Sequence, residues 1–214
     1  MITIAIWSRR DPDRSSSSPI PPDPTPPTDR RLIALGDSLT AGYQLSPDES
    51  FPAQLQKLFE SRGLSIQVTN AGKSGDTSAQ ILERLERSLA ESSTGDILLV
   101  TVGANDGLQW LPIDQLETNL KKIIQTAKER WLIVIIWGMK LPLNYGIDYT
   151  KWFEAIYPRV AQETDALLIP FILEDVATIP ALNLDDGIHP NAAGYQIIAK
   201  NIFTFLDQKR ILTP

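Results

Sequence analysis

Arg31-Leu32-Ile33-Ala34-Leu35-Gly36-Asp37-Ser38-Leu39-Thr40-Ala41-Gly42-Tyr43 is the stretch that decides the fold. Four apolar residues run into a glycine, and small polar residues follow. This is the pattern of a buried parallel strand that ends in a tight turn. Open α/β sheets place their chemistry at the carboxyl ends of such strands. Ser38 is therefore a candidate nucleophile, although a serine there can also simply cap the next helix.

Outward from this stretch, strands and helices alternate. Phe51, Leu55, Leu58 and Phe59 share one helix face, with Ser50 as a cap and Gly63 beyond the end. A second strand is expected over 65–69, and then a helix through Ile81, Leu82, Leu85 and Leu89 capped by Asp76 or Thr77. Strand three spans 96–102 and is nearly all apolar, as a strand covered on both faces should be. Leu116, Leu120, Ile123, Ile124 and Ala127 mark a long helix before strand four, 131–137. A helix through Trp152, Ile156 and Val160 is expected to kink at Pro158, and strand five follows at 166–169. The last helix carries Tyr195, Ile198, Ala199, Ile202 and Phe205. Five strands joined by helical crossovers predict an α/β fold: a three-layer α/β/α sandwich around a five-stranded parallel sheet.

The composition narrows the function. The chain has 214 residues, which suits one domain with a sizeable core. A net charge of -6 and the lack of any long basic run argue against a nucleic-acid partner. With no cysteine there is no disulfide and no thiolate metal site, and a single histidine argues against a metal hydrolase. No stretch is long and apolar enough to predict a membrane span. Residues 1–30, rich in Ser and Pro, are expected to form a disordered or polyproline arm, with the folded domain over 31–214. The short N-terminal apolar run precedes its basic pair, the reverse of a signal peptide, so a cytoplasmic location is expected. A monomer is the expected state.

Four loops carry the remaining signal: 36–38, 70–77, 103–107 and 185–190. His189 is the only histidine, three residues after Asp186. A serine hydroxyl is a poor nucleophile until a base accepts its proton, and a carboxylate against the imidazole fixes the tautomer. Acyl transfer also needs donors aimed at the developing oxyanion. The Ser38 amide, the Gly75 amide and the Asn105 side chain can supply them, Gly75 because a residue without Cβ allows close approach. Leu108 and Trp110 are apolar residues in a loop, where they need a partner or a ligand. With Leu141 and Ile188 they are the expected substrate-binding residues.

Gly36-Asp37-Ser38-Leu39, Gly75, Gly103-Ala104-Asn105-Asp106 and Asp186-Gly187-Ile188-His189-Pro190 resemble the ordered blocks of the GDSL, or SGNH, hydrolase family. The resemblance is stronger to its thioesterase I, protease I and lysophospholipase branch, which includes arylesterases. Ser74-Gly75-Asp76-Thr77-Ser78 and Leu141-Pro142-Leu143-Asn144-Tyr145-Gly146 add to it. The likeness covers about 31–207. It implies a flavodoxin-like fold that needs no cofactor and no metal. It also implies Ser38 as nucleophile, His189 as base, Asp186 as third member, and Ser38, Gly75 and Asn105 as the oxyanion hole. The implied substrate is a small acyl ester, a thioester or a lysophospholipid. One departure is Ala104, where many relatives carry a second glycine before the asparagine. A nucleotide- or flavin-binding protein of the same outline lacks support, since no phosphate-cradling glycine motif is present. A non-catalytic binding module of the same fold is the other alternative.

Overall fold

The apolar run at 32–35 lies in a strand with neighbours on both sides. A computed structural model describes residues 30–212. The strands are β1 (Arg30–Gly36), β2 (Ile66–Gly72), β3 (Ile97–Thr101), β4 (Ile133–Trp137) and β5 (Leu167–Ile169). All pair in parallel, in the order β2-β1-β3-β4-β5. Every residue of β3 is buried, as its unbroken apolar run requires. The order reverses between β1 and β3, so the crevice beyond their carboxyl ends is where a doubly wound sheet holds its ligand.

The helices are α1 (Ser38–Ala41), α2 (Phe51–Ser61), α3 (Ser78–Glu83), α4 (Leu85–Ser88), α5 (Ala104–Leu108), α6 (Ile113–Glu129), α7 (Ile147–Thr164) and α8 (Ala192–Gln208). On one face α2 packs on α8, and on the other α6 packs between α3 and α7. Phe51, Leu55 and Phe59 fill the core from α2, as do Leu116, Leu120, Ile123, Ile124 and Ala127 from α6. None of the helices among the described residues is long and apolar enough to cross a membrane.

The expected elements are present with several corrections. The arm expected over 1–30 lies outside the described residues, save Arg30, which opens β1. β2 runs on through Asn70-Ala71-Gly72, which reads as loop but pairs with Ala34-Leu35-Gly36. The helix expected through Ile81 and Leu89 is two short helices divided at Arg84, whose guanidinium turns in toward the sheet edge. Thr77, not Asp76, is the N-cap of α3.

Trp131 precedes β4 rather than opening it. It holds a left-handed turn at φ 60°, where its amide donates to Lys128 O and the Leu132 amide to Ala127 O. α7 buries Phe153, Ile156, Tyr157 and Val160 but leaves Trp152 67% exposed. It also continues through Pro158 as a single helix. Pro158 and Glu154, whose carbonyl loses its partner there, both lie on the solvent face, where water can bond that carbonyl. α8 is opened by Asn191, whose side chain accepts from the Ala193 and Gly194 amides.

Candidate active site

Ser38 is the first residue of α1, directly beyond β1. Asp37 caps it: its Oδ1 accepts from the Leu39 amide at 3.0 Å. This side chain is fully buried, and burial pushes its carboxyl up to about 7. The Leu39 amide pulls the other way, and the carboxylates of Asp106 and Asp76 add to the rise.

The chain returns to Ser38 through the loop between β5 and α8. His189 Nε2 lies 2.9 Å from Ser38 Oγ, and His189 Nδ1 lies 2.7 Å from Asp186 Oδ2. An ionised carboxylate only accepts, so Nδ1 carries the proton and donates to Asp186. Nε2 is then the acceptor, and the Ser38 hydroxyl donates to it. The other oxygen of Asp186 accepts from the Ile188 and His189 amides, each at 3.0 Å. Burial works against ionisation of Asp186, but these amides and the imidazole outweigh it and hold the carboxyl below its usual value. The Tyr43 ring covers the imidazole, with centroids 4.4 Å apart. Sequence reasoning passed over Tyr43, although it ends the stretch that holds Ser38.

The three expected oxyanion donors face one cavity. Ser38, Gly75 and Asn105 all line it. The Ser38 and Gly75 amides donate to no protein group among the described residues. Gly75 sits at φ +86°, and a Cβ there would meet nothing within 4 Å. The left-handed backbone calls for glycine, and the absence of a Cβ leaves the space beside the amide open. Asn105 lies in the helical turn α5 rather than in a loop. Its Nδ2 donates one hydrogen to Asp76 O at 2.9 Å, and the second remains for the cavity. Gly103 before it takes φ +110°. Ala104 is the first residue of α5 and has no positive φ, so the alanine in place of a second glycine imposes no backbone strain.

Buried polar residues behind the donors hold them in place. Asp76 receives Arg84 Nε at 2.6 Å, and the same guanidinium donates to Ala71 O and Gly36 O, each at 2.8 Å. Asp106 accepts from the Ser78 amide at 2.8 Å and from its hydroxyl at 2.5 Å. Tyr157 donates to Val102 O at 2.8 Å. In sequence these residues look like ordinary surface charges or core aromatics.

The cavity has a volume of about 670 Å³. Leu108, Met139, Leu141, Leu143, Phe171 and Ile188 give it a mostly apolar wall. Trp110 is the exception among the expected substrate-binding residues: it is not part of the lining. Its ring stacks on Tyr145 and Tyr149, with centroids 5.3 and 4.3 Å away. The rest of Trp110 stays exposed, at 58%.

This geometry agrees with the similarity to known proteins. A family model described as GDSL-like lipase/acylhydrolase matches residues 34–197. The chain belongs to the GDSL-like lipase/acylhydrolase family. Its GDSL relatives include an arylesterase of Vibrio mimicus, 38% identical over 79% of this chain and 84% of that protein. Another is the thioesterase 1/protease 1/lysophospholipase L1 of Escherichia coli K12, 41% identical over 78% of this chain and 79% of that one. Among solved structures, that of TesA superposes with a TM-score of 0.80 at 35% identity, covering 86% of this chain and all (100%) of that one. The SGNH-hydrolase family esterase AlinE4 gives 0.70 at 36% identity, covering 85% and 96%.

Proposed function

We propose that this GDSL-family protein hydrolyses carboxylic esters or thioesters through an acyl-serine intermediate, with Ser38 as nucleophile. The supporting observation is the hydrogen-bond chain Ser38–His189–Asp186 at the mouth of an apolar cavity. Ser38 Oγ attacks the acyl carbonyl while its proton passes to His189 Nε2. Asp186 keeps the imidazole in the accepting tautomer and stabilises the imidazolium. The carbonyl electrons move onto oxygen, which the Ser38 amide, the Gly75 amide and Asn105 Nδ2 receive. Collapse of this intermediate expels the alcohol or thiol, which takes the proton from His189. Water then repeats the sequence on the acyl-serine and releases the acid.

The apolar wall favours an acyl chain over a polar acid. Aryl esters, acyl thioesters and lysophospholipids are all candidate substrates, in keeping with the relatives' names. A fluorophosphonate probe tests the mechanism. It should label the protein once, at Ser38, and should not label Ser38→Ala, which keeps the fold. Labelling elsewhere, or ester hydrolysis that survives Ser38→Ala, would sink the proposal and favour the binding-module alternative.

A further inference from the structure

Six buried side-chain polar atoms among the described residues have no protein hydrogen-bond partner, and five of them belong to the Ser38 turn or to elements that flank it. They are Asp37 Oδ2, Thr40 Oγ1, Thr101 Oγ1, Trp137 Nε1 and the Tyr195 hydroxyl. All five residues are at most 1% exposed.

Strand register brings them together. Gly36 pairs with Thr101, and one step past the Val100–Ile136 pair Thr101 comes beside Trp137. Neighbours across a sheet point to the same face, so Thr101 and Trp137 emerge together at its carboxyl edge. A Cβ on Gly36 would collide with Thr40 Oγ1 and stand 2.9 Å from Thr101 Cβ, which puts Thr40 in the same space. Phe51 of α2 and Tyr195 of α8 close this face. The Phe51 ring centroid is 4.9 Å from that of Trp137 and 6.4 Å from that of Tyr195. Asp37 shares its turn with Thr40, whose amide donates to Asp37 O at 3.2 Å, and the charge on Asp37 reaches Tyr195.

The bonding capacities are complementary. The Trp137 indole only donates, an ionised Asp37 only accepts, and the three hydroxyls do both. One orphaned buried group can be tolerated, but five in one place call for a shared partner. Buried polar groups without a protein partner are where internal water is held, whereas apolar cavities stay dry.

We propose that the space behind the Ser38 turn is an internal water site, through which Trp137 and Tyr195 act on Asp37 as positioning residues. Asp37 links the site to catalysis, because its other oxygen holds the Leu39 amide and so fixes the turn that presents Ser38. A carboxyl that burial has pushed up to about 7 needs added donors to stay ionised, and the water supplies them.

Thr101→Val and Tyr195→Phe each delete one of these hydroxyls at nearly constant shape. Removing a hydroxyl that bonds to nothing relieves a desolvation cost and raises Tm, whereas removing one that holds water lowers it. The expected result is a fall of about 2–4 °C in each variant. In Tyr195→Phe, kcat should also fall by roughly 3–10-fold with KM unchanged, since only placement of the nucleophile suffers. If Tyr195→Phe fails to fold, Thr101→Val carries the same test of sign. A crystal structure should show an ordered water bonded to Asp37 Oδ2 and the Tyr195 hydroxyl. A raised Tm, or direct bonds among the five groups with no water between them, would overturn the site. An unchanged kcat in a folded Tyr195→Phe would overturn the positioning role. Only this kinetic arm rests on Ser38 as nucleophile, and fluorophosphonate labelling of the unaltered protein tests that separately.

Discussion

The side-chain amide of Asn105 donates to the backbone carbonyl of Asp76 at 2.9 Å, tying α5, which follows β3, to the loop after β2. One amide hydrogen is thus spent on orientation and the other is free for an oxyanion. Asn105→Ala should lower kcat by about 10²–10³, the usual effect of losing one oxyanion donor. KM should change little, because the donor acts on charge that develops in the transition state. Steady-state kinetics on an aryl ester checks this, and an unchanged kcat would remove Asn105 from the oxyanion hole.

Asp186→Asn keeps an oxygen for the Ile188 and His189 amides but can present an NH₂ to the imidazole. The loop should hold its shape while the tautomer is lost, with kcat down by up to ~10⁴ and Tm nearly constant. Calorimetry and kinetics on one preparation test this, and a collapse of Tm would mean that the carboxylate mainly supports the loop.

Arg84→Met should be among the most damaging changes outside the triad. It removes the guanidinium from Asp76, which is 2% exposed, and strips donors from Gly36 and Ala71. Breaking one side of a buried ion pair costs about 3–5 kcal/mol. Denaturant unfolding gives the loss directly. Arg84→Met together with Asp76→Asn should recover part of it.

Acid stability should depend on Glu117. Hydrogen bonds from Arg159 and then Lys121 depress its carboxyl to about 2. The folded form therefore releases the proton more readily than the unfolded form. This stabilisation is fully present above the ordinary carboxyl value of 4.5 and is lost as pH falls through about 2. Urea midpoints measured between these values should fall less steeply in Glu117→Gln. Equal slopes would assign acid unfolding to other groups.

Acyl-chain preference should follow the cavity wall and not the neighbouring aromatics. Leu108 lines the cavity while Trp110 stacks on Tyr145 and Tyr149. Leu108→Trp narrows the space and should shift kcat/KM toward short acyl chains. Trp110→Ala should reduce activity alike for all chain lengths. A chain-length shift in Trp110→Ala would return that residue to the substrate site.

Wherever a single physical rule governed, the sequence could be read directly. The apolar runs at 32–35 and 97–100 read as buried strands, and Asp186, three residues before the lone histidine, could reach the imidazole across one turn. Competing rules produced the errors. Trp131 looks like a strand residue by type, but the end of α6 needs a left-handed residue there and takes the tryptophan. Leu85 and Leu89 continue a helical face, yet Arg84 interrupts it to bond Gly36, Ala71 and Asp76. Trp110 stacks on two tyrosines that lie far along the chain and stays 58% exposed. The water site left no trace in sequence at all. Its five groups come from the cap of α1, α1 itself, β3, β4 and α8, and only strand register brings them together.

Ser38 and His189 meet across 151 residues of chain. The strand before Ser38 is made early and the sheet is complete at Ile169, but the imidazole arrives twenty residues later. By the proposed mechanism, no emerging fragment that ends before His189 can cleave an ester, however much of the sheet it has built. Ester cleavage then reports that β1 and the segment leading into α8 have found each other.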